Sequence, residues 1–91
     1  MKRVCKNKTE WFLNGKLHRE NGPAIEYVSG YKAWWINGLR HREDGPAIEH
    51  VNGNKAWFLN GKEYTEEEYQ KILNSVKKLS EKEIGVKIIK E

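Results

Sequence analysis

Two His-Arg dipeptides, His18-Arg19 and His41-Arg42, stand 23 residues apart, each followed after two intervening residues by Gly-Pro-Ala. A guanidinium is a planar fork of donors that matches a phosphate, and a neighbouring aromatic ring adds a stacking face. Two such pairs bordered by tryptophans and tyrosines therefore point to a grip on a small anionic ligand, such as a nucleotide second messenger. The same residues carry a second reading. Arg19 and Arg42 can pair locally with Glu20, Glu43 or Asp44, and the imidazoles can bond backbone groups of their own hairpins. Recurrence favours this local reading, because a repeated turn demands repetition whereas a ligand site needs one copy.

Other chemistries are poorly served. Equivalent residues one unit apart are separated by at least two strands, roughly 9 to 10 Å at about 4.8 Å per strand. Zinc ligands each sit about 2 Å from the ion, so His18 and His41 cannot share one in a flat sheet. Cys5 is the only cysteine, which excludes an internal disulfide and a site of paired thiolates. It lies in a basic start with no placed histidine and reads as a small buried hydrophobe in the first strand rather than a nucleophile. Glu66, Glu67 and Glu68 fall at the N-terminus of an expected helix, where acids meet the favourable end of its dipole. The expectation is a chain that is not an enzyme, with no metal and no cofactor.

The elements that position these residues come from a tandem repeat. Residues 11–33 and 34–56 agree at 15 of 23 positions without a gap. A third copy begins at 57 and departs after 65, and residues 1–10 form an N-terminal half-repeat with Val4 and Cys5 in the places of Tyr27 and Val28. Partial units at the ends act as caps. Asn14-Gly15, Asn37-Gly38 and Asn60-Gly61 are the dipeptides favoured by two-residue type I′ hairpins. Gly22-Pro23 and Gly45-Pro46 mark strand starts, and Ser29-Gly30 and Asn52-Gly53 mark a further turn. The segments between them, 24–28, 32–36, 47–51 and 55–59, are short and rich in β-branched and aromatic residues. Thr65 and Glu68 make a capping box ahead of Tyr69, Ile72, Leu73, Val76 and Leu79 at helical spacing, a helix of about 14 residues. Ser80 and Glu83 suggest a second short turn, and 85–89 a last strand or a disordered end. The fold class is mainly β (α+β): an antiparallel β-meander of hairpin repeats followed by an amphipathic helix, with 66–91 as helix and tail.

Alternation puts Trp11, Leu13, Trp34, Ile36, Trp57 and Leu59 on one face and Phe12, Trp35 and Phe58 on the other. Trp11, Trp34 and Trp57 are expected in the core. One helix cannot cover two apolar faces, so one face needs curvature, the C-terminal segment, a second copy or a target. Trp35, with Tyr27 and Tyr31 close in sequence, is the candidate contact surface, and His50 marks a place where the copies differ. At 91 residues the chain makes one domain with a thin core. No stretch has the roughly 18 apolar residues of a membrane helix, and the start lacks a signal peptide's apolar region; the expectation is a cytoplasmic protein without membrane insertion. The net charge of +4, with Lys2, Arg3, Lys6 and Lys8 at the start, supports only weak attraction to nucleic acid.

A unit of this length with an aromatic, Asn-Gly, a placed His and a Gly-containing turn resembles the MORN repeat, in its W-x-x-N-G-x-x-H-R-x-D-G-P-A variant. The resemblance covers residues 11–65. It departs from the common pattern where Arg19 and Arg42 replace a second glycine after the His. It implies a single-layer antiparallel sheet used for protein contact, self-association or lipid contact, without catalysis. Arrays of this variant resemble small bacteriophage, bacterial and large-virus proteins. The leading expectation is therefore a protein-binding module, monomeric or homodimeric, that inhibits a bacterial target such as a defence protein in the host cytoplasm. The other two readings are sequestration of a small anion and nucleic-acid binding. The candidate contacts are His18, Arg19, Tyr27, Tyr31, Trp35, His41, Arg42 and His50.

Overall fold

Asn14, Asn37 and Asn60 have φ of 52°, 50° and 50°, and the glycines that follow have 77°, 80° and 85°. Both central residues of each turn thus lie in the left-handed region that a type I′ hairpin requires, and Asn is the side-chain-bearing residue that tolerates it best. A computed structural model describes residues 1–75, which are mainly antiparallel β with a helix at the C-terminal side. The strands are β1 (Lys2–Val4), β2 (Lys8–Leu13), β3 (Lys16–Leu17), β4 (Ile25–Tyr27), β5 (Lys32–Ala33), β6 (Trp35–Ile36), β7 (Leu39–Arg40), β8 (Ile48–Glu49), β9 (Lys55–Leu59) and β10 (Lys62–Tyr64). Residues 66–75 form α1.

The main sheet runs β1-β2-β4-β5-β8-β9-β10, with β3 beside β2, and β6 pairs with β7. The segment 32–36 is one strand bent at Trp34: its first half, β5, lies between β4 and β8, and its second half, β6, turns into a hairpin. β2 and β9 divide their pairing in the same way. Neighbouring hairpins then join edge to edge. Gly38 N–H donates to the Leu17 carbonyl at 2.8 Å and Arg19 N–H to the Trp35 carbonyl at 3.1 Å. The same two bonds recur 23 positions on, from Gly61 to Arg40 at 2.8 Å and from Arg42 to Phe58 at 3.3 Å.

Residues opposite one another share a face. Glu10, Ile25, Ala33, Ile48 and Ala56 form one cross-strand row, and Trp35 and Phe58 lie on the same side, two residues along their strands from Ala33 and Ala56. We call this the apolar face. The other face carries Trp11, Trp34 and Trp57, together with a ladder of alternating charge, Glu26, Lys32, Glu49 and Lys55.

The core differs from the sequence expectation. Its buried members are Ala24, Ala33, Ala47, Ile48, Phe58 and Tyr69, whereas Trp11, Trp34 and Trp57 are only half-buried. A ring lying flat on a single-layer sheet keeps one face outward, while alanine lets a loop or neighbouring strand approach closely enough to exclude water. Trp35 is also half-buried, packed against the cluster of Ala33, Ala47, Ile48 and Phe58.

The N-terminal half-repeat is one residue out of the expected register. Lys2, Arg3 and Val4 face Trp11, Glu10 and Thr9, whereas the pairing of Ile25 with Ala33 in the full unit would set Lys2 against Glu10. The full units close five-residue turns through Gly30 and Gly53, at φ of 111° and 92°. The first turn has no glycine and closes over four residues, with Cys5 N–H donating to the Lys8 carbonyl at 2.7 Å. Cys5 is consequently half-buried in a turn, not within the first strand.

At the other end α1 opens with a reciprocal capping box. Thr65 N–H donates to Glu68 Oε1 at 3.0 Å, and Glu68 N–H donates to Thr65 Oγ1 at 3.1 Å. The first of these bonds favours the ionised carboxylate and, with the Thr65 side chain beside it, holds the Glu68 carboxyl below its ordinary range. Thr65 stands at the unit position of Arg19 and Arg42, whose N–H groups bond the next hairpin, so the helix's own first turn supplies the acceptor that a further unit would have brought. The amphipathic pattern at Val76 and Leu79, the turn at Ser80 and Glu83, and 85–89 fall outside the described residues.

Candidate functional site

Each Gly-Pro-Ala run folds its loop back over the tryptophan face. The Arg19 guanidinium carbon lies 3.8 Å from the Trp11 ring centroid, and that of Arg42 the same distance from Trp34. Once stacked, the forks are tied down. Arg19 Nη1 donates to the Pro23 carbonyl at 3.2 Å and to Glu26 Oε1 at 3.1 Å. Arg42 Nη1 donates to the Pro46 carbonyl and to Glu49 Oε2, both at 3.0 Å, and its Nε donates to Asp44 Oδ1 at 2.9 Å.

The histidines are engaged as well. His18 Nδ1 accepts the Asn37 N–H and His41 Nδ1 accepts the Asn60 N–H, both at 2.9 Å. Since Nδ1 is the acceptor, the ring proton sits on Nε2, which faces Glu20 at 3.2 Å and Glu43 at 2.9 Å respectively. Each imidazole thus joins its own loop to the hairpin of the next unit. The arginines find Glu26 and Glu49 rather than Glu20 and Glu43, because the folded loop carries the guanidinium across to the neighbouring strand of the charge ladder.

The motif's glycine follows from this packing. A β-carbon at Gly22 would lie 3.0 Å from the Arg19 guanidinium carbon, and one at Gly45 would lie 2.9 Å from that of Arg42. Gly45→Ala therefore forces Arg42 off its ring and should cost about 1–3 kcal/mol, the range for overpacking. Urea denaturation is the check; in an Arg42→Ala background the same substitution should cost under about 0.5 kcal/mol, the range for a site with no packing conflict.

Between the two loops runs an open groove of about 690 Å³, lined among others by Arg19, Asn21, Trp34, His41, Arg42 and Asp44. It brings Arg19 together with the second His-Arg pair, but both guanidiniums that border it already carry a carboxylate partner.

The remaining candidates lie on the apolar face in two separate places. Tyr27 and Tyr31 meet edge to face with centroids 5.5 Å apart, Tyr31 and His50 follow at 5.4 Å, and Lys8 Nζ lies 5.6 Å from the Tyr27 ring. Beside this row the turns carry Val28 and Val51, 80% and 65% exposed. Trp35 is in the other place, with Arg40 stacked between its ring and that of Phe58 at 5.1 and 5.3 Å.

Glu26, Glu49 and Arg40 were not singled out from sequence, and Tyr69 was read only as part of the helix's apolar face. Glu26 and Glu49 carried a usable signal, each seven residues after its arginine in both copies. Arg40 carried none, since Leu17 and Glu63 stand at its position in the other units. Tyr69 is fully buried. Its hydroxyl donates to the Arg42 carbonyl and accepts the Gly45 N–H at 3.3 Å, and its ring lies 6.5 Å from that of Trp57. It occupies the place over the third tryptophan that an arginine fills in the full units.

Among the described residues no group of three or more His, Cys, Asp or Glu is arranged to hold a metal ion, and no helix is long and apolar enough to cross a membrane. No protein-family model, no curated protein and no solved structure matches the chain.

Proposed function

We propose that the chain is a non-enzymatic, MORN-like protein-contact module, a meander of hairpin repeats that binds a bacterial protein target as a small inhibitor. One observation carries this reading: the His-Arg pairs best suited to chemistry are engaged inside the chain, while Tyr27, Val28 and Val51 are left exposed together with His50. The row Tyr27, Tyr31 and His50, with exposed Val28 and Val51 beside it, offers rigid contact area of the kind that anchors protein interfaces. It also lies where the two copies differ, which is where a repeated scaffold can acquire specificity.

The anionic-ligand reading has less support, because Arg19 and Arg42 would have to exchange carboxylates for the ligand. The nucleic-acid reading loses much of its basic start in the same way, since Arg3 and Lys8 share Glu10 at 3.9 and 3.5 Å.

The test is retention from a bacterial lysate on immobilised wild-type chain, followed by titration of the purified retained protein. A dissociation constant in the micromolar range or below, weakened at least about tenfold by Tyr27→Ala with His50→Ala, is the expected result. Retention by wild type no stronger than by the variant would overturn it. A thermal-shift panel of nucleotides separates the alternative, which requires about 2.7 kcal/mol of stabilisation at 100 times the dissociation constant, abolished by Arg19→Ala with Arg42→Ala.

A further inference from the structure

The hairpin ends of the strands carry a second cross-strand row on the apolar face. Trp35 stands opposite Arg40, and Phe58 stands opposite Glu63. β7 lies beside β9, joined by the bonds from Arg42 N–H to Phe58 and from Gly61 N–H to Arg40. Across the strands the order is therefore Trp35, Arg40, Phe58, Glu63: Glu63 stands directly opposite Phe58, while Arg40, whose carbonyl bonds Gly61, stands diagonal to it with its guanidinium 5.3 Å from the Phe58 ring. α1 and both Gly-Pro-Ala loops pack on the opposite face, and among the described residues none of them covers this row.

Among the described residues, both charges in the row lack a counter-charge. Arg3, Arg19 and Arg42 each have a carboxylate within 4.0 Å, whereas among the described residues Arg40 has no carboxylate and Glu63 no cation at that distance. Among the described residues, Arg40 Nε and the neighbouring Trp35 Nε1 are also the buried side-chain polar atoms that find no hydrogen-bond partner. Both are donors on the same side of the same row, and buried donors of this kind call for an acceptor. An acceptor group on the right period exists within the sequence itself. A two-fold axis through Phe58 reverses the row of a second copy, so that its Glu63 falls opposite Arg40 and its Arg40 opposite Glu63.

We propose that the chain forms a symmetric dimer through this row, with Arg40 of each copy meeting Glu63 of the other on either side of Phe58. The contact is self-complementary, as an interface across a two-fold axis must be. Arg40 is half-exposed and Glu63 exposed, so the guanidinium can turn from the rings toward the incoming carboxylate without unfolding the hairpin. The second copy is favoured over an unrelated acidic segment because one face of the chain supplies both the cation and the anion, on the two strands that flank Phe58. This inference rests on reading the chain as a protein-contact module and names one partner for it, a second copy.

Sedimentation equilibrium of the full chain across micromolar to high-micromolar loading tests it. Wild type should be a concentration-dependent dimer. Glu63→Arg, at an exposed position, and Arg40→Glu should each weaken self-association at least about tenfold, the effect of placing like charges at such a contact. Mixing the two variants should restore a heterodimer, because the first then offers two cations and the second two carboxylates. The Trp35 indole N–H resonance should move with concentration in wild type and stay fixed in Glu63→Arg. A monomer at every loading, or a dimer indifferent to Glu63→Arg with no heterodimer on mixing, overturns the proposal. Either result leaves the lysate-target assay, read at Tyr27 and His50, to decide the broader reading separately.

Discussion

Tyr69→Ala should destabilise the protein by about 3–5 kcal/mol, the range for truncating a large buried aromatic side chain. Tyr69 is the largest fully buried side chain among the described residues, and it closes the exposed side of Trp57 while bonding the backbone of the second Gly-Pro-Ala loop at two points. The loss is severe against the 5–15 kcal/mol of a typical domain, and a thin single-layer sheet falls toward the low end of that range. Tyr69→Phe keeps the ring and leaves the Arg42 carbonyl and Gly45 N–H without their partner, for about 1–3 kcal/mol. Urea denaturation followed by tryptophan fluorescence measures both. Burial raises the Tyr69 hydroxyl above its ordinary value of 10.0, so the folded state favours the protonated phenol. This part of the stability is fully present below pH 10 and is lost as pH rises through the raised value. The alkaline decline should be shallower in Tyr69→Phe.

Arg42→Ala should cost about 2–3 kcal/mol and Arg19→Ala measurably less. Each substitution removes charge-assisted bonds to a carboxylate and a proline carbonyl, together with stacking on an indole. The arginine side chains are 20% and 26% exposed, respectively, so solvent screens these contacts only in part. Asp44 adds a partner for Arg42 that Asn21 does not provide for Arg19, though at 86% exposure it contributes little. The larger asymmetry is mechanical, because the Arg42 loop is also the platform for Tyr69. A double-mutant cycle reads this directly. Arg42→Ala and Tyr69→Ala should couple by at least about 0.5 kcal/mol, while Arg19→Ala and Tyr69→Ala should add. Equal coupling in both cycles would mean that the loops do not act through the helix.

Much of this architecture was legible from residue types alone. Asn-Gly announces a turn because few other pairs accept two positive φ values in succession, and Thr65 with Glu68 announces a helix start because the bonds are local. What could not be read was where the loop goes after Gly-Pro-Ala. His18, Arg19, His41 and Arg42 look like a ligand site in one dimension because the local partners visible there, Asp44 for Arg42 among them, are joined in the fold by Glu26, Glu49 and the backbone of the next hairpin. The glutamates are reached by folding back over a ring, and the one hint of it in sequence is their recurrence seven residues after each arginine. The tryptophans misled for a related reason: they are large and recurrent, yet alanine is what permits a close approach in a single layer. The first half-repeat slipped by one residue because its turn has no glycine, a difference visible in sequence whose effect on register depends on how four residues close.

The His-to-hairpin bonds described between units have a consequence for how such a chain can change length. Each junction uses the same donors and acceptors, so a further copy of 23 residues placed between 33 and 34 would leave α1 and the first strand with the neighbours they already have. Stability in such an array grows by nearly equal increments per added unit. A single residue gained or lost inside a unit has the opposite effect, since it exchanges the two faces of every strand segment up to the next turn that can absorb it. Whole-unit duplication is thus the gentle change and a one-residue slip the harsh one. Length is therefore this fold's most adjustable property.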